Sequence, residues 1–539
     1  MNSDLTFITN EKNKLDKISS MIDVPKPDRI SHMYKIHKYW ARKPWYLVNA
    51  YIKEFSKKGD TVFDPFAGSG VAGIEALALG RNSILVDLNP IATFVSEMTA
   101  VNHGIENEIK RILISIESKL KDQLLELYQV ESECPRCSTK LVGKHFERGP
   151  KFKRISAYVY CPKCGVRKTG KDYLLTKRDL ERLRKIENRK ISSWYPKNSF
   201  PKKFDKDRIT YKGMKTVDKL FTKRNIFALA KLLSEIEKIE NKRLRNLFKL
   251  SFSDTVLHAS KLKGVNVRPL SVNNYWVPDD WIEENVWYRF HQRISNLIKG
   301  KRIASERLSK SNNLSFKVFN QSSTDLRNIL DGQSVDFIFT DPPYGDSIQY
   351  DELSIVWNSW LKKDFDSEKE VIVNRSKGKS VSDYERLLNT VFLECSRVLK
   401  KNKYMLVTFH NKEFRVWIAI LRSIKDAGFK FIGLNSHLPL GNSYNKNWAK
   451  RSPKTDFYML FKKNRGNTHS KQLLLEISEM DIRKLIKDYV VKHKKSSLPK
   501  VYDYVLENAI EHVFYTENFD ELKNLDVYLI DKILREYDK

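Results

Sequence analysis

Residues 61–90 read TVFDPFAGSGVAGIEALALGRNSILVDLNP, and the alternation in this stretch decides the fold class. "TVFD" is a short run of β-branched and aromatic residues that ends in an acid and a glycine-rich turn, DPFAGSG at 64–70. "VAGIEALALG" at 71–80 has helix formers and stops at Gly80, and "NSILVD" at 82–87 is a second apolar run. Strand, helix and strand of these lengths make a βαβ unit with parallel strands. The expected class is α/β, a Rossmann-like doubly wound sheet, with any ligand beyond the carboxyl ends of the strands.

The turn narrows the ligand. Gly68 and Gly70 let the backbone approach a ligand closely and take angles closed to other residues. Gly68, Gly70 and Gly73 also match the dinucleotide spacing, but Asp64 before them would repel a pyrophosphate. A carboxylate there suits an ammonium group or ordered water. Asp87 ends the second strand, where an acid accepts hydrogen bonds from ribose hydroxyls. A ribose, an ammonium group and no phosphate fit S-adenosylmethionine. A tight turn of any α/β protein fits these residues too, and the two readings stay open at this point.

The strand pattern resumes at "SFKVFN" (315–320) and "SVDFIFTDPPY" (334–344). A helix pattern follows at 382–401, then "YMLVTF" (404–409), a helix at 412–427, "FKFIGL" (429–434) and "TDFYMLFKK" (455–463). These make two blocks of strands, interrupted between residues 100 and 315. "VDFIF" ends abruptly in Asp341-Pro342-Pro343-Tyr344, where two prolines remove two backbone donors and stop the ladder. An acid is thereby held at the tip of a strand.

The expected division is an N-terminal extension at 1–30 and a first catalytic part at 31–130. A cysteine-bearing ribbon at 131–168 and a basic, mostly helical insert at 169–314 follow. A second catalytic part at 315–465 and a helical C-terminal region at 466–539 complete it. Within the first part, Ile109, Leu113, Ile116, Leu120, Leu124 and Leu127 recur at helical steps and form one apolar face.

Cys134-x2-Cys137 and Cys161-x2-Cys164 have knuckle spacing, with Pro135, Pro162 and Gly165 in the turns. Four thiolates so placed close a tetrahedral structural zinc site with no open position. The competing reading is redox-active or free cysteine. Cys395, alone in a helical segment, reads as a small buried hydrophobe.

The 539 residues carry a net charge of +32, with 41% hydrophobic and 30% charged residues. Residues 140–224 hold 27 Lys and Arg against 8 Asp and Glu. Such clustering points to a polyanionic partner, nucleic acid, over a merely solvated surface. No run of 18 apolar residues occurs, so no transmembrane helix and no membrane partner are expected. The N-terminus lacks a signal-peptide layout, which predicts a soluble intracellular protein.

Together, DPFAGSG and DPPY in this order resemble the S-adenosylmethionine-dependent amino-methyltransferases that act on exocyclic nitrogens of bases. The likeness covers residues 34–100 and 315–462. With HKYWARKP at 37–44 and the paired cysteines, the chain more closely resembles adenine-specific DNA methylases that carry a zinc ribbon. The resemblance implies a methyltransferase sheet with one antiparallel strand near its edge. It implies cofactor contacts from Asp64, Pro65, Phe66, Ala67, Gly68, Gly70, Asp87 and Asn89. His37, Lys43 and Pro44 are the candidates in the segment closing over the methionine end. Asp341, Pro342, Pro343 and Tyr344 would be catalytic, and Cys134, Cys137, Cys161 and Cys164 would hold zinc.

In the place of the family's acidic adenine-binding strand end, this chain has Ser322 and Ser323, with Asp325 only later. The implied substrate is double-stranded DNA with a flipped-out adenine, methylated at N6. The insert would read the target sequence. Cytosine N4 in DNA, guanine N2 or adenine N6 in RNA, and a non-catalytic zinc-ribbon DNA-binding subunit are the alternatives. The implied setting is a prokaryotic, cytoplasmic, nucleoid-associated protein that works with restriction or phage-defence subunits. No nuclease or helicase motif is seen, so cleavage would fall to another chain.

Overall fold

The computed structural model describes residues 13–18, 28–100, 104–150, 155–201, 213–271, 275–311, 313–437, 455–463, 479–493, 498–516, 530 and 532–533. Most of the expected N-terminal extension, residues 151–154 between the cysteine pairs, and 202–212 in the basic insert lie outside these. The strands are β1 (Thr61–Asp64), β2 (Asn82–Asp87), β3 (Gln129–Glu133), β4 (Lys140–Arg148), β5 (Ser156–Tyr160) and β6 (Lys171–Leu174). They continue as β7 (Trp281–Glu284), β8 (Phe316–Asn320), β9 (Val335–Thr340), β10 (Leu399–Phe409), β11 (Phe429–His437) and β12 (Asp456–Lys463).

Seven of them form one sheet in the order β11-β12-β10-β9-β1-β2-β8. β8, β2, β1, β9 and β10 pair in parallel, and β12 runs antiparallel between β10 and β11. All six residues of β9 are buried, as expected of a central parallel strand covered on both faces. From β1 the chain proceeds outward through β2 to β8, and from β9 the other way through β10. The strand order therefore reverses between β1 and β9, the switch point at which an open α/β sheet binds its ligand.

The helices that bear on the sheet and the insert core are α1 (Trp45–Phe55), α2 (Val71–Ala78), α3 (Pro90–Ala100), α4 (Glu106–Glu126), α5 (Lys223–Glu237) and α6 (Lys242–His258). After these come α7 (Val286–Arg307), α8 (Tyr350–Leu361), α9 (Val381–Val398), α10 (Phe414–Asp426) and α11 (Leu498–Thr516). α1 and α2 cover one face of the sheet, packing Tyr51, Phe55 and Ile74 with Phe337, Phe339 and Leu406. α9 and α10 cover the other, packing Val391, Phe392 and Trp417 with Phe63, Ile338 and Met405. Alternate residues of β1 and β9 thus serve opposite cores, which is the double winding read from the first βαβ unit. Val501, Tyr502 and Val505 of α11 join the second core, so this part of the C-terminal region braces the sheet.

The cysteine-bearing sheet is larger than a ribbon of 131–168. β4 is its centre: β5 and then β6 pair on one side, while β3 and β7 share the other edge. β7 joins from far along the chain, and a buried ion-pair cluster accompanies the pairing. Glu283 on β7 is fully buried and pairs with Arg148 of β4 and Arg224 of α5. Against the cost of burial, the two guanidinium groups hold its carboxyl down at about 2. The expected boundary at 168 therefore falls inside this sheet.

The insert is not a separate body. Leu250 and Phe252 of α6, Trp357 and Trp360 of α8, Phe94 of α3 and Phe146 of β4 share one core. No described helix is long and apolar enough to cross a membrane.

Candidate active site

β1 delivers Asp64 to the switch point, and the chain then turns sharply into α2. Gly68 and Gly70 have φ of +51° and +79°. A Cβ on Gly70 would stand 2.7 Å from that of Ser96, and one on Gly68 would stand 3.1 Å from the Tyr39 ring. Asp87, at the end of β2, holds the turn: its two oxygens accept from Gly68 N (2.7 Å) and Asn89 N (2.8 Å). Asp64 accepts from Phe66 N at 3.0 Å. Burial pushes the Asp64 carboxyl well up, with Asp341 and Asp87 adding to the rise. Burial also pushes Asp87 up to about 6, against those two backbone bonds. Ser323, beyond β8, donates to the Pro65 carbonyl at 2.7 Å.

One strand over, β9 delivers Asp341. Its Oδ1 accepts from the Thr408 hydroxyl of β10 (2.7 Å) and from the Tyr344 hydroxyl (2.5 Å). The turn that carries it is fastened along its length. The Pro343 carbonyl accepts from the Tyr384 hydroxyl (2.6 Å) and Gly345 N (3.1 Å), and the Tyr344 carbonyl accepts from Asn411 (3.0 Å). The Tyr344 ring packs edge-on against Phe409, with centroids 5.1 Å apart. Burial raises the Asp341 carboxyl, and the Lys43 ammonium is the main influence drawing it back.

A cleft runs across these strand ends. Asp64, Pro65, Phe66, Ala67, Gly68, Asp87, Asn89, Asp341 and Pro343 line its floor, and Ser322 and Ser323 line its β8 end. Its roof is Tyr39–Lys43 from before α1 and Tyr350 at the start of α8, with Phe365 and Lys369–Val371. Tyr39 and Tyr350 stack at 6.1 Å with their planes 20° apart.

Within HKYWARKP the residues part company. Lys43 lines the cleft, but its ammonium contacts Asp341, Asp456 and the Tyr344 hydroxyl. His37 is 1% exposed and outside the cleft lining. Its Nδ1–H donates to the Lys38 carbonyl (2.7 Å), and its Nε2 accepts from Ser253 (3.0 Å). Burial lowers it to about 4, so it is neutral. Pro44 precedes the first turn of α1 and is also outside the lining. Gly70 opens α2 beneath the turn.

Sequence reasoning missed Tyr39, Tyr350, Glu370 and Asp456. Tyr39 stands two residues from His37, so its segment was flagged. Tyr350 lies in GDSIQYDELSIVWNSWL (345–361), the stretch after DPPY expected as a loop and helix beside the target base, whereas Glu370 and Asp456 come from a loop and the start of β12, with no local motif to mark them.

The four cysteine sulfurs lie within 4.8 Å of one another. Cys134–Cys164, Cys137–Cys161 and Cys137–Cys164 are 3.9, 3.6 and 3.5 Å apart. A tetrahedron of zinc–sulfur bonds of about 2.3 Å has edges of about 3.8 Å, so the donor set fits that metal. Gly165 (φ +86°) and Ser138 (φ +53°) make the tight turns around it. Cys395 is fully buried in α9.

The family model described as DNA methylase, of the N6/N4 methyltransferase type, matches residues 6–94 and 335–525, together more than half of the chain. The chain is 30% identical over 95 residues to Type II methyltransferase M.MjaII of Methanocaldococcus jannaschii, which is 18% of each chain. It is 48% identical over 52 residues to Type II methyltransferase M.BsoBI of Geobacillus stearothermophilus, 10% of each. It is 44% identical over 50 residues to Type II methyltransferase M2.DpnII of Streptococcus pneumoniae, 9% of this chain and 19% of that one. These alignments span less than a fifth of each relative's length. The two matched blocks carry β1 and β2 with the glycine turn, and β9 to β12 with Asp341, which meet at the cleft, and the chain belongs to the DNA methylase family.

Proposed function

We propose that the chain transfers a methyl group from S-adenosylmethionine to the exocyclic N6 of adenine in duplex DNA. One observation carries the reading: Asp341-Pro342-Pro343-Tyr344 and the glycine turn stand at adjacent strand ends, on either side of the switch point. S-Adenosylmethionine supplies an electrophilic methyl on a sulfonium, which is taken directly by the amine nitrogen. Asp64 and the Gly68–Gly70 turn hold its methionine end, and Asp87 accepts from its ribose.

An exocyclic amine is a poor nucleophile because its lone pair is delocalised into the ring. Asp341 and the Pro342 carbonyl accept its two N–H bonds and draw the nitrogen towards a tetrahedral form. Because the turn is fastened by Tyr384 and Asn411, these acceptors need no reorganisation when the base arrives. Tyr344 stacks on the base, which must leave the duplex to be reached. Aspartate at the head of the motif favours adenine. The basic insert supports DNA as the partner, and restriction or defence subunits are the proposed companions. The proposed zinc, held by Cys134, Cys137, Cys161 and Cys164, has only a structural part.

The test incubates the protein with labelled cofactor and either duplex DNA or total RNA, then digests the product to nucleosides. Label in N6-methyladenine from DNA is the expected result. Label in N4-methylcytosine would move the target to cytosine, and label only in RNA would sink the reading. Asp341→Ala should lower transfer by at least about a thousandfold while cofactor binding persists.

A further inference from the structure

We propose that Glu370 is a cofactor-binding residue, whose second carboxylate oxygen accepts a hydrogen bond from the ribose diol of S-adenosylmethionine alongside Asp87. The inference rests on the function proposed above and adds a residue to it.

Glu370 has one evident structural duty. The side chain of Gln349, before α8, makes no cap bond. Glu370 Oε1 does this from outside the helix, accepting from Asp351 N at 3.0 Å. A carboxylate at a helix N-terminus is favoured there by the helix dipole as well. Capping uses one oxygen. The other, Oε2, is buried and has no hydrogen-bond partner among the described residues, and Glu370 lines the cleft.

Among the described residues no cation is placed on that oxygen. Lys377 donates to Asp351 at 2.8 Å, and Lys369 pairs with Asp366 at 3.2 Å. Lys379 donates to the backbone carbonyls of Ser367, Glu368 and Glu370. A buried acceptor with no donor is costly, and natural proteins seldom keep one without a use.

Position selects the donor. Glu370 bonds the backbone N–H next to Tyr350, Tyr350 stacks on Tyr39, and the Tyr39 ring lies against Gly68, whose N–H bonds Asp87. The two acids therefore border the same stretch of the cleft, over the end of β2. A vicinal diol presents two O–H donors, and two carboxylates meet them. Burial, with Asp351 beside it, raises Glu370 itself to about 8.

The experiment measures binding of S-adenosylmethionine and its 2′-deoxy and 3′-deoxy analogues by calorimetry. Glu370→Gln keeps an oxygen for Asp351 N and nearly the same volume. Glu370→Asp, which withdraws the carboxylate by one methylene, is the second variant, and melting curves confirm that each is folded. The expected result is about tenfold weaker binding of S-adenosylmethionine by Glu370→Gln. One deoxy analogue should bind the wild type about tenfold more weakly, yet cost the variant less than about threefold further. Binding by both variants within twofold of wild type, or an equal loss on the analogue with and without Glu370, leaves a helix cap alone and overturns the inference. A folded wild type that binds no S-adenosylmethionine overturns the function proposed above as well, so the two failures are distinct.

Discussion

The ammonium of Lys43 sits 3.5 Å from Oδ1 of Asp341. It also sits 3.0 Å from Asp456 and bonds the Tyr344 hydroxyl, with 6% of its side chain exposed. Its sequence neighbours close over the glycine turn, but its charge is spent on the other half of the site. Burial favours a protonated Asp341, and Lys43 opposes that. A protonated acid would lose an acceptor for the amine of the proposed reaction, so the expected part of Lys43 is that of a positioning residue that draws the Asp341 carboxyl down against its burial.

Lys43→Met should therefore move the acid limb of the rate–pH profile upward. At pH 7, kcat should fall by about 10- to 100-fold, since each unit of pKa is a factor of ten in the ionised fraction. Part of the loss should return by pH 9, and the Kd for cofactor should stay within about threefold. A weakened Kd with an unmoved pH profile would place Lys43 on the cofactor instead.

The contrast between Lys43 and Asp87 shows what a sequence can carry. Asp87 was legible because its role is local: it ends one strand of a βαβ unit and bonds the turn of the other. Asp341 was legible because two prolines advertise an enforced turn. The contacts of Lys43 with Asp456, and of β7 with β4, join segments hundreds or scores of residues apart, and no periodicity records them. The aromatic stretch NNYWVPDDWIEENVWYRFHQRI at 273–294 shows no single periodicity for the same reason. Its strand pairs with β4, and its Glu283 is held by Arg148 and Arg224, all distant in sequence. His37 shows the converse. It stands in the segment expected to close over the methionine end, yet its ring is turned against Ser253 and Trp357 and outside the cleft lining.

Gly70→Ala tests the turn. Its φ of +79° and the 2.7 Å approach to Ser96 leave no room for a methyl. The left-handed conformation alone costs an L-residue about 1–2 kcal/mol, and the clash adds to it. The variant should melt several degrees lower and bind cofactor at least about tenfold more weakly. Gly59→Ala is the control: it also has positive φ but nothing within 4 Å of the added carbon. It should cost stability and leave cofactor binding alone.

The cysteine cluster predicts about one zinc per chain by metal analysis of protein purified without chelator. The sheet it anchors holds β7, and through it the start of α7, so stripping the metal should be felt beyond the ribbon. Chelation should lower Tm by at least about 5 °C. Cys137→Ser should lower both zinc content and Tm while the Kd for cofactor stays within about twofold. Full-length protein with no zinc and an unchanged Tm would show that the four thiols need no metal.

Glu370 also predicts a pH dependence of stability in the ligand-free protein. Its carboxyl is raised from an ordinary value of 4.5 to about 8 by burial and by Asp351. Between those values the folded chain holds a proton that the unfolded chain has lost, so this stabilisation is full below 4.5 and disappears as pH rises through 8. Lys301, buried and lowered to about 7, works the other way above that pH, so the whole-protein Tm mixes the two. The difference between wild type and Glu370→Gln isolates the acid. Relative to the variant, wild type should lose Tm steadily from pH 5 to pH 9. Saturating S-adenosylmethionine should flatten that difference, because a hydroxyl donor lets Glu370 ionise in the folded state. A difference that is flat without ligand would mean that Glu370 is already ionised at neutral pH.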